Sequence, residues 1–189
     1  MSKILILYIL LIFLIFSSCD KLFKKDYTLE HPELKAPTFS AIFDMDDNHL
    51  FRGIDFDDKK EHVMKLESGK GTLINQEDFA LFYEVELPKD SLKHYEYANV
   101  NYFFNNNKCD IICVEYHLVD SLKIETTENA LNTYFNILYG DAHEDDFGYQ
   151  VWTWDNEKDK NHHYDVAVKR GYQLDEPDIL VEFSKIAKK

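Results

Sequence analysis

Two stretches far apart in the chain, Asp110-Ile111-Ile112-Cys113-Val114-Glu115-Tyr116 and Asp178-Ile179-Leu180-Val181-Glu182-Phe183, read almost alike. Each ends a succession of strand-like segments that opens on a helix-like one. That recurrence limits the fold more than any other feature, because one order of segments used twice calls for one packing solution used twice. In the first half a helix is expected from residue 57, with Asp57-Asp58 capping its start, an apolar side of Val63, Met64 and Leu66, and Gly69 and Gly71 at its end. Residues 79–87, 97–104 and 109–118 then read as strands. Asn105-Asn106-Asn107 reads as a tight hairpin loop, since asparagine tolerates positive φ. In the second half Thr126 or Thr127 is the expected cap of a helix running to residue 139, with Ala130, Leu131, Tyr134, Phe135 and Leu138 on one side and Gly140 as its stop. Strand-like runs follow at residues 149–154, 164–169 and 179–184. The pattern predicts an α+β fold of two tandem α-β-β-β units, about residues 57–118 and 124–184, sharing one antiparallel sheet with helices on one face.

The amino terminus has a different character. Lys3 is followed by 13 apolar residues, 4–16, and then by Ser17 and Ser18 before Cys19. A helix needs roughly 20 apolar residues to cross a bilayer, so the run reads as a secretory signal peptide with small residues at its cleavage site. The segment Leu14-Ile15-Phe16-Ser17-Ser18-Cys19 resembles the lipobox of bacterial lipoproteins, with Phe16 and Ser18 departing from its commonest form. The resemblance implies that Cys19 takes a diacylglycerol thioether, is freed by signal peptidase, and is acylated again on its new amino group. Two or three acyl chains anchor stably where one binds marginally. Asp20 resembles an inner-membrane retention signal of enteric bacteria, but the outer membrane, at either face, is the expected location. The expected divisions are a signal peptide over residues 1–18, a lipidated cysteine and flexible tether over 19–40, where Pro32 and Pro37 lie, and one domain over 41–189.

Removing residues 1–18 removes one lysine and no acid, leaving 20 basic against 35 acidic side chains, a net charge of −15. Such a chain repels nucleic acid and anionic headgroups, so no nucleic-acid partner is expected. With 15% aromatic residues it has material for a core and is not disordered. Cys109 and Cys113 lie four apart on an expected strand, about 13 Å from each other, beyond the reach of a disulfide. They read as small buried side chains, and no CxxC motif accompanies them.

A short helix ended by glycine, then antiparallel strands, twice over, on an exported chain resembles the beta-lactamase-inhibitor-protein architecture and the small outer-membrane assembly lipoproteins of related plan. Arg52-Gly53-Ile54-Asp55-Phe56 leading into Lys60-Glu61-His62-Val63 is similar to the helix opening of those domains. Because those families act by protein–protein contact, the resemblance implies a binding module and assigns no binding residue.

Two groups of residues have the composition of a metal site. His143, Glu144, Asp145 and Asp146, with His162 and His163, could supply zinc ligands, but there is no HExxH and no helical histidine pair, and adjacent histidines on a strand point to opposite faces. Asp44, Asp46 and Asn48, with Asp55 in twelfth place, have the spacing of a calcium loop, but His49 stands where the turn needs glycine. Solvated acidic loops are the expected reading of both, and no metal or other cofactor is expected. No GxSxG surrounds Ser68, Ser91, Ser121 or Ser184, and the 6 glycines make no phosphate loop.

Trp152 and Trp154, two apart on a strand, share a face. If that face meets the helix they are core; if it is the open face they form an aromatic ridge that Tyr95 and Tyr97 could extend, suited to a protein or glycan. The expectation drawn is a non-enzymatic, membrane-anchored domain that binds another envelope protein through its open sheet face. A small metal-assisted hydrolase using His143, Glu144 and His162, and a purely structural envelope component, are the competing classes.

Overall fold

The sheet is built from strands whose two parities meet different surroundings. In the computed structural model, which describes residues 27–45, 49–89, 94–156, 159–171 and 176–188, eight strands form one antiparallel sheet. They are β1 (Thr72–Glu77), β2 (Ala80–Glu86), β3 (Tyr97–Asn105), β4 (Lys108–His117), β5 (His143–Glu144), β6 (Gln150–Asn156), β7 (Asp159–Arg170) and β8 (Ile179–Ala187). Their order is β1-β2-β3-β4-β8-β7-β6-β5. The fold is therefore α+β, with a few helices on a single antiparallel sheet.

One cross-strand row shows what holds the sheet to its helices. Leu81, Tyr102, Ile112, Phe183, Val166 and Trp152 are successive partners across six strands, and each is at most 1% exposed. Over this row lie α3 (Lys60–Glu67) and α4 (Ser121–Tyr139), and α2 (Pro37–Ser40) packs on α4. Phe135 of α4 packs 5.3 Å from Trp152 and 5.8 Å from Phe183, ring centre to ring centre, and Phe43 packs 6.4 Å from Phe183. Aromatic rings at such distances add to the burial term that dominates the core. We call this the covered face and the other the open face.

A buried ion pair fixes α3. Arg52 donates to both carboxylate oxygens of Glu67, at 2.9 and 3.0 Å, and Tyr102 donates to Oε1 at 2.8 Å. Glu67 is fully buried and the Arg52 side chain 7% exposed. Removing one member of such a pair costs about 3–5 kcal/mol, because the other is left charged and dry.

Several local expectations are corrected. The body begins at Pro32, not near residue 41: Leu34, in a turn of 3-10 helix (Pro32–Lys35), and Thr38 and Phe39 of α2 are all buried. Apolar side chains anchor this part of the expected tether, and Thr38 shares a hydrogen bond with Thr127. The short helix α1 (Tyr27–Glu30) belongs to the unit that precedes the body. Helix α4 starts at Ser121, earlier than expected, because the Asp120 carboxylate accepts from the Leu122 N–H and caps it. Helix α3 starts at Lys60 after Lys59 and has no side-chain cap, while Asp58 accepts from the Asp55 N–H instead. Four strands, not three, follow each of these helices, since β1 and β5 join the expected ones.

The hairpin between β3 and β4 closes as expected, with Asn106 and Asn107 at φ of 51° and 63°. Gly140 ends α4 at φ 89°. The expected signal peptide, Cys19 and the first part of the expected tether lie outside the described residues, as do Asp46 and Asn48 of the calcium-like loop. None of the described helices is long and apolar enough to cross a membrane.

Candidate functional site

The registers that build the core also fix what the open face presents. Its central row runs Asn75, Phe82, Asn101, Cys113, Glu182, Ala167, Val151, His143 across all eight strands. A second row holds Glu84, Asn99, Glu115, Leu180 and Lys169, and a third Ala80, Phe103, Ile111, Ser184, Asp165 and Thr153. No described helix lies over these rows, yet the centre is sheltered: Asn101 is 6%, Cys113 9% and Val151 8% exposed. Neighbouring side chains of the sheet itself provide that shelter.

Charge on these rows is one-sided. Glu84, Glu115, Glu182 and Asp165 stand on them with one ammonium, Lys169, which lies 4.9 Å over the Tyr149 ring. Glu84 accepts from the Tyr95 hydroxyl at 2.5 Å, which pushes that phenol up to about 12, and Glu115 accepts from Asn99 at 3.3 Å. None of the four carboxylates has an ion-pair partner among the described residues. Burial raises the Glu182 carboxyl above its ordinary value, and Oδ1 of Asp165 is buried without a hydrogen-bond partner.

The residues expected to form the ridge are divided between the two faces. Trp152 is core, 1% exposed, with its indole N–H donating to Asn136 of α4 at 2.8 Å. Trp154 stacks on Tyr139 of α4 at 4.1 Å. The tryptophans therefore anchor the long helix and are removed from the open-face site. Tyr97 lies on the open face, stacked on His117 at 4.6 Å and on the exposed Tyr95 at 5.5 Å. Tyr95 and Tyr97 thus border the open face without the tryptophans.

The histidines expected for a hydrolase are not brought together. His143 and Glu144 form the edge strand β5, opposite Val151 and Gln150. His162 sits five residues along β7 from Ala167, the partner of Val151, hence about 16 Å further along the sheet. Its ring is held by both oxygens of Asp159 at 2.9 Å, while His163 faces the other way. Asp145 accepts from the N–H groups of Phe147 and Tyr149 and makes a turn. Asp55 is likewise engaged, by His49 and the Leu50 N–H. Among the described residues no three His, Cys, Asp or Glu side chains are placed to hold a metal ion.

The two thiols are buried and unpaired, on opposite faces. A bulge puts Asp110 between Phe103's partner Ile111 and Phe104's partner Cys109, so that alternation breaks and Cys109 turns toward Tyr102. Burial pushes both thiols up to about 12.

Two concavities outside the open face are lined by charged side chains that engage one another. One of about 600 Å³ is lined by Asp44, His49, Arg52 and Lys70, but Arg52 is committed to Glu67 and the Lys70 ammonium to the Arg52 carbonyl. Another, of about 370 Å³, adjoins Asp57, Lys108, His162 and Lys185. There Lys185 bridges Asp57 at 2.7 Å and Asp159 at 3.2 Å, and Tyr164 donates to Asp159, so these groups satisfy one another. They join the segment before α3 to β7 and β8.

Sequence reasoning gives Phe82, Phe103, Ile111, Asp165 and Glu182 no part in a site, although Ile111 and Glu182 lie in the two look-alike stretches. The alternation of Tyr97, Asn99 and Asn101 with Ala98, Val100 and Tyr102 was the available signal for which parity stays uncovered. Compared with known protein families, curated proteins and solved structures, the chain matches none.

Proposed function

We propose that this is a lipid-anchored envelope protein whose domain binds another protein through the open face of its sheet and carries out no catalysis. The observation that supports this reading most is the one-sided arrangement of the helices. The described helices that meet the sheet, α3 and α4, do so on one face, and the other holds Phe82, Phe103, Ile111 and Leu180 among carboxylates that have no ion-pair partner among the described residues. Apolar side chains ringed by polar ones on an uncovered surface mark contact sites. The anchor would be Cys19, as the lipobox resemblance implies, and the outer membrane is the location we favour.

The body reads further as a duplication. A helix followed by four strands occurs twice, and the halves meet at β4 and β8. Val114 and Val181, equivalent in the two look-alike stretches, are direct partners there, as a two-fold relation between the halves requires. That arrangement accords with the inhibitor-like architecture noted from the sequence, whose members act by contact.

A photo-activated cross-linker placed at Phe103 and, in a second strain, at Leu122 of α4 tests the reading in living cells. Discrete adducts are expected from Phe103 and none from Leu122. Adducts from both positions alike, or from neither, would overturn it. In the same strains Cys19→Ala should release the chain from the membrane fraction; retention would overturn the anchor.

A further inference from the structure

The open face sets a single ammonium, Lys169, against four carboxylates, and its own chemistry calls for more positive charge. Glu182 stands at its centre, between Cys113 and Ala167, with Asp165, Glu115 and Lys169 as diagonal neighbours on the adjoining strands, and Lys169 is turned over the Tyr149 ring. Diagonal positions on a sheet are about 7–8 Å apart, so carboxylates there form a line and not a cage. A cage is what a metal ion needs, and among the described residues none is present. Desolvation of Glu182 and the orphaned oxygen of Asp165 are the two marks of acids left without partners. Beside them Ile111, Phe103 and Leu180 supply apolar surface that a bare ion could not use.

A long basic side chain answers both features, since its stem packs on apolar groups while its head pairs with carboxylate. The spacing of the acids along the sheet suits alternate residues of an extended segment, which share one side, more than one small cation. Resting on the docking reading above, we propose that the open face takes a basic polypeptide segment, with lysine or arginine heads on Glu182 and Asp165 and their stems against Ile111 and Leu180. The mature chain's own charge of −15 draws such a segment in from a distance.

The test is calorimetric titration of the full chain, in detergent, with a hexa-arginine peptide and separately with spermine and calcium chloride. Saturable peptide binding is expected, weakened at least tenfold by Glu182→Gln with Asp165→Asn. The control, Glu125→Gln with Asp141→Asn, removes the same charge from exposed positions away from the open face and should change affinity less than twofold. Removing a desolvated charge favours folding at neutral pH, so Glu182→Gln should leave the thermal transition no lower, which separates lost binding from lost structure. No binding of the peptide, equal losses in the two double variants, or spermine or calcium binding as tightly as the peptide would each overturn the inference. If Phe103 still cross-links in cells while the peptide fails to bind, the basic partner falls and the docking reading stands.

Discussion

Single residues carry the division of the sheet into a covered face and an open one. Trp152 on β6 and Cys113 on β4 are both buried, for opposite reasons: one under a helix, the other under the side chains of its own sheet. The core contains one anomaly. Tyr116 is fully buried on the covered face, which raises its phenol well above the ordinary range, and its hydroxyl has no hydrogen-bond partner among the described residues. A buried unpaired hydroxyl costs about 1–3 kcal/mol. Tyr116→Phe should therefore leave the urea midpoint unchanged or raise it, where most core substitutions lower it. A fall of more than about 1 kcal/mol would show that the hydroxyl has a partner in solution.

Elements are joined by a small number of polar contacts whose strength depends on pH. Asp159 accepts from His162, Tyr164, Lys185 and the Asn161 N–H, and these hydrogen bonds, that of His162 first, hold its carboxyl far below the ordinary 3.8. A carboxyl lowered in the folded state stabilises it above the unfolded value and loses that contribution as pH falls. The gap in urea midpoint between the parent chain and Asp159→Asn should thus be full at pH 5 and narrow steadily below about pH 4. A gap that widens toward acid would contradict the assignment. Glu182 has the reverse sign, since its raised carboxyl favours the folded state at acid pH and opposes it as pH rises past 4.5.

How elements read in the sequence depended on whether one face was buried. Strands β3, β4 and β8 alternate or run apolar because one parity lies in the core, and they were legible. Strand β1 is exposed throughout, edge and both faces, so Thr72–Glu77 has no hydrophobic period to detect. Helix α4 was read short because its first turn is solvent-facing, with Leu122 65% exposed, while Thr127 resembled a cap but lies buried against Thr38. The shared face of Trp152 and Trp154 was legible from their spacing. Which face it was depended on α4 arriving over β6, since Val151 gives the other parity an apolar residue too.

At the level of the whole molecule, the central claim is that one face of the sheet is core and the other awaits a partner. Hydroxyl-radical footprinting reads both faces at once, because aromatic rings are oxidised where solvent reaches them. In the purified chain Phe82 and Phe103 should be modified and Trp152 and Phe135 spared. In intact envelopes Phe82 and Phe103 should become protected while exposed residues elsewhere, such as Phe147 at 76% exposure, remain reactive. Protection of the two open-face phenylalanines in envelopes and not in isolation is the result the account predicts. Equal reactivity of Phe82 and Phe103 in both settings, or oxidation of Trp152 in the purified chain, would contradict it.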